Sequence, residues 1–217
     1  MFELKDVSVS FSETQVFEKL SLSVGKGEKI VLRGPSGCGK STVLKLLMGF
    51  AQPVGGHVLV DGEPMTPSIA WDIRGKVAYA DQKVDVDSGK VSDFLSALCH
   101  FKNAANSPSP DSVQIVDSMK QFDLSPDLFE KDTDTLSGGE LQRVVLASII
   151  LPDRSIYLLD EPTSALDGKR KEQVADYFLN SNDTVVVASH DEVWNSPDRA
   201  TIIEMNPFPD SDLKTEN

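Results

Sequence analysis

Cysteine is scarce. Cys38 and Cys99 are the only two in 217 residues, which cannot build a disulfide framework, and no Cys/His spacing resembles a zinc motif. That usage fits a reducing cytosol. Basic residues are the next shortage. Twenty-one Lys and Arg stand against 34 Asp and Glu, a formal charge of −13, which argues against gripping nucleic acid or anionic lipid through bulk charge. A local anion site built from backbone N–H groups escapes that argument. No long apolar run is present either. The best stretch, Leu46 to Val60, is broken by Gly49, Pro53, Gly55, Gly56 and His57, and cannot cross about 30 Å of hydrocarbon. The opening MFELKDVSVSF lacks the charged-then-apolar pattern expected of a secretory leader. What is present is an ordinary globular composition, 40% hydrophobic and 25% charged, which excludes wholesale disorder and suits one domain, or one domain carrying a small subdomain.

Hydrophobic periodicity divides the chain into three textures. Leu4 to Phe11 and Leu20 to Val24 alternate as half-buried strands, KIVLR (Lys29 to Arg33) is a short apolar run, and HVLVDG closes on an Asp-Gly turn. From about Ser88 to Leu151 the pattern is helical, interrupted by a polar Pro/Ser loop at Asn106 to Pro110, expected to be mobile. From Ser155 strand and helix alternate again: SIYLLD, GKRKEQVADYFL, DTVVVAS. Continuous apolar strands between helices predict a parallel sheet covered on both faces. The polar end, PFPDSDLKTEN, is expected to fray.

Chemistry concentrates where KIVLR meets Gly34-Pro35-Ser36-Gly37-Cys38-Gly39-Lys40-Ser41 and the helix-like run from Thr42. This is G-x-x-x-x-G-K-[ST] between a strand and a helix. Glycines let successive N–H groups converge, the helix start adds its positive end, Lys40 can reach β- and γ-phosphates, and the Ser41 hydroxyl can ligate Mg²⁺. A plain strand-to-helix turn is the competing reading. Cys38 is either a thiol acidified by the helix start or, with greater weight, a small residue facing away from phosphate. A second feature is Asp160-Glu161 after four apolar residues. Acids at the carboxyl end of a buried parallel strand sit where open α/β sheets bind ligands. Asp160 is read as a metal-shell carboxylate and Glu161 as the group that orients or deprotonates a water.

Leu136-Ser137-Gly138-Gly139-Glu140, followed by LQRV about twenty residues before the acids, resembles the signature of ABC-type ATPases, and four motifs in order carry the resemblance over nearly the whole chain. It implies an α/β fold: a P-loop NTPase core with a mainly parallel sheet, an N-terminal antiparallel β-subdomain and an inserted helical subdomain. The core would occupy about 1–87 and 152–206, the helical subdomain about 88–151, and a flexible tail 207–217. It also implies ATP and Mg²⁺. Phe11 falls where the family stacks an aromatic on adenine, although it also continues the Val7-Val9 face as a core residue would; Val16 follows at the usual offset. Gln82 resembles the glutamine that contacts Mg²⁺, Ser164 to Asp167 the loop that crosses to the opposite subunit, and His190 the switch histidine at the γ-phosphate. Ser137, Gly138, Gly139 and Glu140 would close on nucleotide held by a second ATPase subunit, most simply a second copy.

The resemblance further implies an integral-membrane permease partner and a place on the cytoplasmic face of the membrane, with no nucleic-acid or direct lipid binding. PDLFEKDTDTLSGGE is similar to the small ATPases of metal-ion or iron exporters. The alternative is a soluble ABC-type ATPase working without a permease. Departures from the family pattern are Ser148, where an arginine is common, and the acidic segment Asp81, Asp85 and Asp87 around Gln82, which lies where such domains usually meet a membrane partner.

Overall fold

The computed structural model describes residues 1–12, 14–83, 86–102 and 112–206. The expected loop at 106–110, the expected frayed end at 207–217, and Asp85 lie outside the described residues. Two sheets organise the molecule. Strands β1 (Phe2–Phe11), β2 (Thr14–Val24), β4 (Gly55–Val60) and β5 (Glu63–Pro64) form an antiparallel sheet in the order β2-β1-β4-β5. Strands β3 (Lys29–Arg33), β6 (Val77–Ala80), β7 (Ile156–Asp160), β8 (Thr184–Ala188) and β9 (Thr201–Glu204) form a parallel sheet in the order β6-β7-β8-β3-β9.

The parallel sheet is buried on both sides, as its unbroken apolar strands require. Every residue of β7 and β8 is buried. Their side chains alternate between two cores: Ile156, Leu158, Val186 and Ala188 join one, and Tyr157, Leu159, Val185 and Val187 the other. The first core is closed by helix α1 (Lys40–Leu47), whose Val43, Leu44, Leu46 and Leu47 are wholly buried against the antiparallel sheet's Phe2, Leu4 and Val7. Each such side chain contributes about 1.5–3 kcal/mol relative to exposure. The second core is closed by helices α3 (Val91–Lys102), α4 (Ser112–Gln121), α5 (Gly138–Ile150) and α6 (Gly168–Leu179).

Simple alternation does not survive along β1. Asp6 adopts φ +49°, and the pairing slips between Leu4↔Leu22 and Val7↔Leu20, so burial changes parity there. Two further slips, one beside Lys19 at φ +52° and one between Val9 and Ser10, twist the strand end away from the core. Phe11 is consequently 55% exposed and does not extend the Val7-Val9 core face. Helix α2 (Pro67–Arg74) follows from Thr66, whose hydroxyl accepts from Ile69 N at 3.2 Å, with proline at the first helical position.

Candidate nucleotide-binding site

Strand β3 delivers the chain to Gly34, and α1 carries it away from Lys40. Between them the backbone turns tightly. A Cβ on Gly34 would lie 2.2 Å from Met205 O, and one on Gly39, at φ +97°, would lie 2.7 Å from the Val16 and Phe17 side chains. Glycine is required at both points, the first for close approach and the second also for its dihedral. Cys38 is wholly buried in the core behind the loop, a small apolar filler in geometry.

The loop borders a cleft of about 330 Å³ lined by Phe11, Val16, Ser36, Gly37, Gly39, Lys40, Ser41, Thr42, Gln82, Asp160 and Glu161. Gly34, Pro35 and Cys38 are not among its lining residues. Topology explains the convergence, because β7 ends at Asp160, β6 at Ala80 and β3 at Arg33 on the same carboxyl edge of one parallel sheet. Lys40 is nearly buried; its Nζ donates to Gly34 O at 2.7 Å and Pro35 O at 3.1 Å and lies 3.7 Å from Glu161 Oε1.

Asp160 is 2% exposed, and its Oδ1 makes no hydrogen bond. Burial pushes this carboxyl above its ordinary range against the opposing Ser41 hydrogen bond, and Asp81 and Glu161 add to the rise. A buried, unpaired carboxylate oxygen beside a serine hydroxyl fits a hard divalent cation, which prefers oxygen ligands and phosphate. Among the described residues no group of three His, Cys, Asp or Glu side chains could hold a metal alone, so such an ion would need the hydroxyl and phosphate oxygens too.

Glu161 is held from several directions. It sits at φ +47°, a strained conformation for a non-glycine residue costing about 1–3 kcal/mol. Its N–H donates to Ala188 O at 2.8 Å, Ser189 Oγ donates to its Oε2 at 3.2 Å, and His190 Nδ1 lies 3.0 Å from its Oε1. His190 is 63% exposed at the side chain and is not among the residues lining the cleft, which it reaches only through Glu161.

Sequence motifs did not single out the residues behind this pair. Gln142 donates from Nε2 to Glu161 O at 3.1 Å and Ser164 Oγ at 3.3 Å, and accepts from Ala165 N at 2.9 Å. Asp191 accepts from Thr163 Oγ1 at 2.5 Å and from Lys171 Nζ at 2.6 Å. Burial raises the Asp191 carboxyl, but these two donors outweigh it and hold it below its ordinary range.

The signature segment lies apart from the cleft. Ser137, Gly139, Glu140, Arg143, Ala165, Leu166, Asp167 and Arg170 line a separate depression, and no residue lines both. Ser137 caps α5 in a reciprocal box: its Oγ accepts from Glu140 N at 3.3 Å, while Glu140 Oε2 accepts from Ser137 N at 2.9 Å and Oγ at 2.7 Å. Those bonds from Ser137 draw the Glu140 carboxyl below its ordinary range. S-x-x-E before an apolar run is itself a readable helix start, so this geometry was available in the sequence. Gly139 packs so closely on Ala165 that an added Cβ would meet Ala165 O at 2.9 Å.

A phosphate loop between parallel strand and helix, with Asp160-Glu161 at the end of a neighbouring strand, defines a P-loop nucleotide-binding cassette. The chain belongs to the ABC transporter family, whose model matches residues 17–164. It is 30% identical over 191 residues to ABC transporter F family member 5 of Arabidopsis thaliana, covering 88% of this chain and 25% of that one. It is also 30% identical over 196 residues to the probable iron export ATP-binding protein FetA of Escherichia coli, covering 88% and 85%. The chain thus spans about a quarter of the Arabidopsis relative but most of FetA. Among solved structures it resembles the dimeric bacterial ABC transporter cassette MJ0796 with TM-score 0.80 at 25% identity, covering 95% of this chain and 94% of that one. A post-hydrolysis MJ0796 dimer bound to ADP and phosphate matches equally, with TM-score 0.80. The α/β P-loop fold and the ABC ATPase class agree with the sequence motifs.

Proposed function

We propose that this chain binds and hydrolyses ATP as one half of a two-chain ATPase that drives a separately encoded membrane permease. The observation that carries the hydrolytic part is the Glu161 carboxylate, held by Ser189 and His190 at the mouth of a cleft that also contains Lys40 and Ser41. Phe11 and Val16 offer an apolar face to the base, and the loop amides with Lys40 receive the phosphates. Ser41 and Asp160, with Gln82 at the rim, would hold Mg²⁺, which when bound neutralises charge building on the phosphates. Glu161 accepts a hydrogen bond from the attacking water and draws off its proton, and His190 fixes the orientation of that carboxylate. General-base assistance of this kind contributes ~10²–10⁴-fold.

Ser137 and Gly139 line a depression separate from the cleft, which supports the use of the Ser137–Gly139 segment on a nucleotide held by a second copy. Exposed apolar side chains support the permease: Phe50, Val54 and Trp71 stand in solvent around a depression lined by Gly49, Pro53, Ala70 and Arg74. No helix among the described residues is long and apolar enough to cross a membrane. The coverage of 88% of this chain and 85% of FetA supports a metal-ion or iron exporter among the transporter classes.

The test is Glu161→Gln with ATP and Mg²⁺. Sizing chromatography should show a nucleotide-stabilised dimer that turns over slowly, and a strictly monomeric chain refutes the two-chain reading. Affinity capture from membranes should recover a polytopic protein; its absence favours an ABC-type ATPase acting without a permease.

A further inference from the structure

A closed ring of contacts lies behind the proposed catalytic pair, and a lysine on a different element is bonded to it from outside. Lys171, on α6, donates to Asp191 Oδ1 at 2.6 Å, with 24% of its side chain exposed against 14% for Asp191. Asp191 Oδ2 accepts from Thr163 Oγ1. Thr163 is wholly buried, and its oxygen accepts from Trp194 Nε1 at 3.2 Å. A hydroxyl has one proton, so a bond received from the indole and one given to the carboxylate fix the threonine rotor. Asp191 N donates to Ser189 Oγ at 3.1 Å, and Ser189 Oγ donates to Glu161 Oε2. Thr163 is two residues beyond Glu161 and Asp191 one residue beyond His190, so the ring closes through both.

We propose that Lys171 is a positioning residue for hydrolysis: through Asp191 it locks the segments after β7 and β8 together, so that Glu161 and His190 keep one mutual geometry. The inference rests on the ATPase reading above. Its logic is local. Glu161 has a backbone conformation that does not persist unless its surroundings over-determine it, and the ring supplies constraint on the side away from nucleotide. Lys171 is absent from the residues lining the cleft, so it should affect the rate of the chemical step and leave nucleotide affinity alone. Misplacement of a catalytic group by about 1 Å can cost on the order of 100-fold.

Lys171→Met tests this in the full chain, with its melting temperature measured first and assays run well below it. The expected result is a kcat about 10–100-fold lower, KM for ATP and nucleotide affinity unchanged, and recovery in Lys171→Arg. Thr163→Val should reproduce the defect, and the double variant should be no worse than the more damaged single one, because both remove a donor to the same Asp191 carboxylate. A parallel loss of kcat and affinity, additive losses in the double variant, failure of arginine to rescue, or undiminished kcat would each overturn the proposal. If wild type itself does not hydrolyse ATP, the functional reading fails first. The lock is then decided by amide exchange at Ser189 and Asp191, which should accelerate in Lys171→Met and, if unchanged, refutes it.

Discussion

The cleft and the signature face both receive anions in the proposed mechanism, yet they are built on opposite terms. In the cleft, charge is buried and left incompletely answered: Asp160 Oδ1 has no partner, Glu161 is strained, and Lys40 turns to the loop's own carbonyls. At the signature, the cap itself is answered locally: Glu140 accepts from Ser137 twice, and Ser137 Oγ accepts from Glu140 N. The first region gains stability when a ligand arrives, while the second must exchange an existing bond. Unliganded strain and burial therefore mark where a single chain binds, and a satisfied cap marks a surface that acts only on docking. One side chain joins the two regions: Gln142, on the signature helix, reaches Glu161 O and Ala165 N.

That contrast can be broken most sharply at the signature. Ser137→Arg should abolish ATP turnover, a loss on the order of 10²–10³-fold as for removal of one donor to the developing charge. Nucleotide binding to the isolated chain, followed by fluorescence titration, should stay at the wild-type level. Lost binding in that titration would mean that the two faces are not separable. A smaller effect is expected at the cleft. Asp160→Asn removes a carboxylate whose burial disfavours its charge, so the unliganded chain should melt higher, by about 2–4 °C per ~1 kcal/mol relieved, while metal-dependent nucleotide binding weakens. A lower melting temperature in calorimetry would show that Asp160 is answered after all.

The smallest effect concerns acid. Asp160 titrates above its ordinary range, so its cost to folding is present at neutral pH and fades as pH falls through its folded value. Asp191 titrates below its ordinary range, so its contribution is full above an unfolded value near ~3.9 and is lost as pH falls through its lower folded value. Stability of the unliganded chain, measured by urea midpoint, should rise slightly on mild acidification before the loss from Asp191 sets in. Asp160→Asn should remove the rise and keep the later fall.

How much of this was legible depends on range. The phosphate loop, its strand and helix, and Asp160-Glu161 are contiguous patterns, and local chemistry dictates them. The β1 register was not legible, because alternation over Val7, Val9 and Phe11 is uniform on paper while Asp6 and Lys19 insert slips. Strand β9 carries only Ile202 and Ile203 as apolar residues, too few for periodicity to assign, and it forms because β3 presents a free edge. Helix α2 had a signal in Thr66-Pro67 that a search for long periodic runs passes over. The Lys171–Asp191–Thr163 contacts join residues 20 and 28 apart, and only the parallel sheet brings the two loops side by side.

The burial of Cys38 has a kinetic consequence. Its sulfur lies within 2.8 Å of where a Gly34 Cβ would be, sealed between the loop and the core. A thiol reagent in solution can meet it only when the phosphate loop lifts from that core, so its labelling rate is a clock for loop opening. A nucleotide that pins the loop from the outside slows the clock without touching the sulfur.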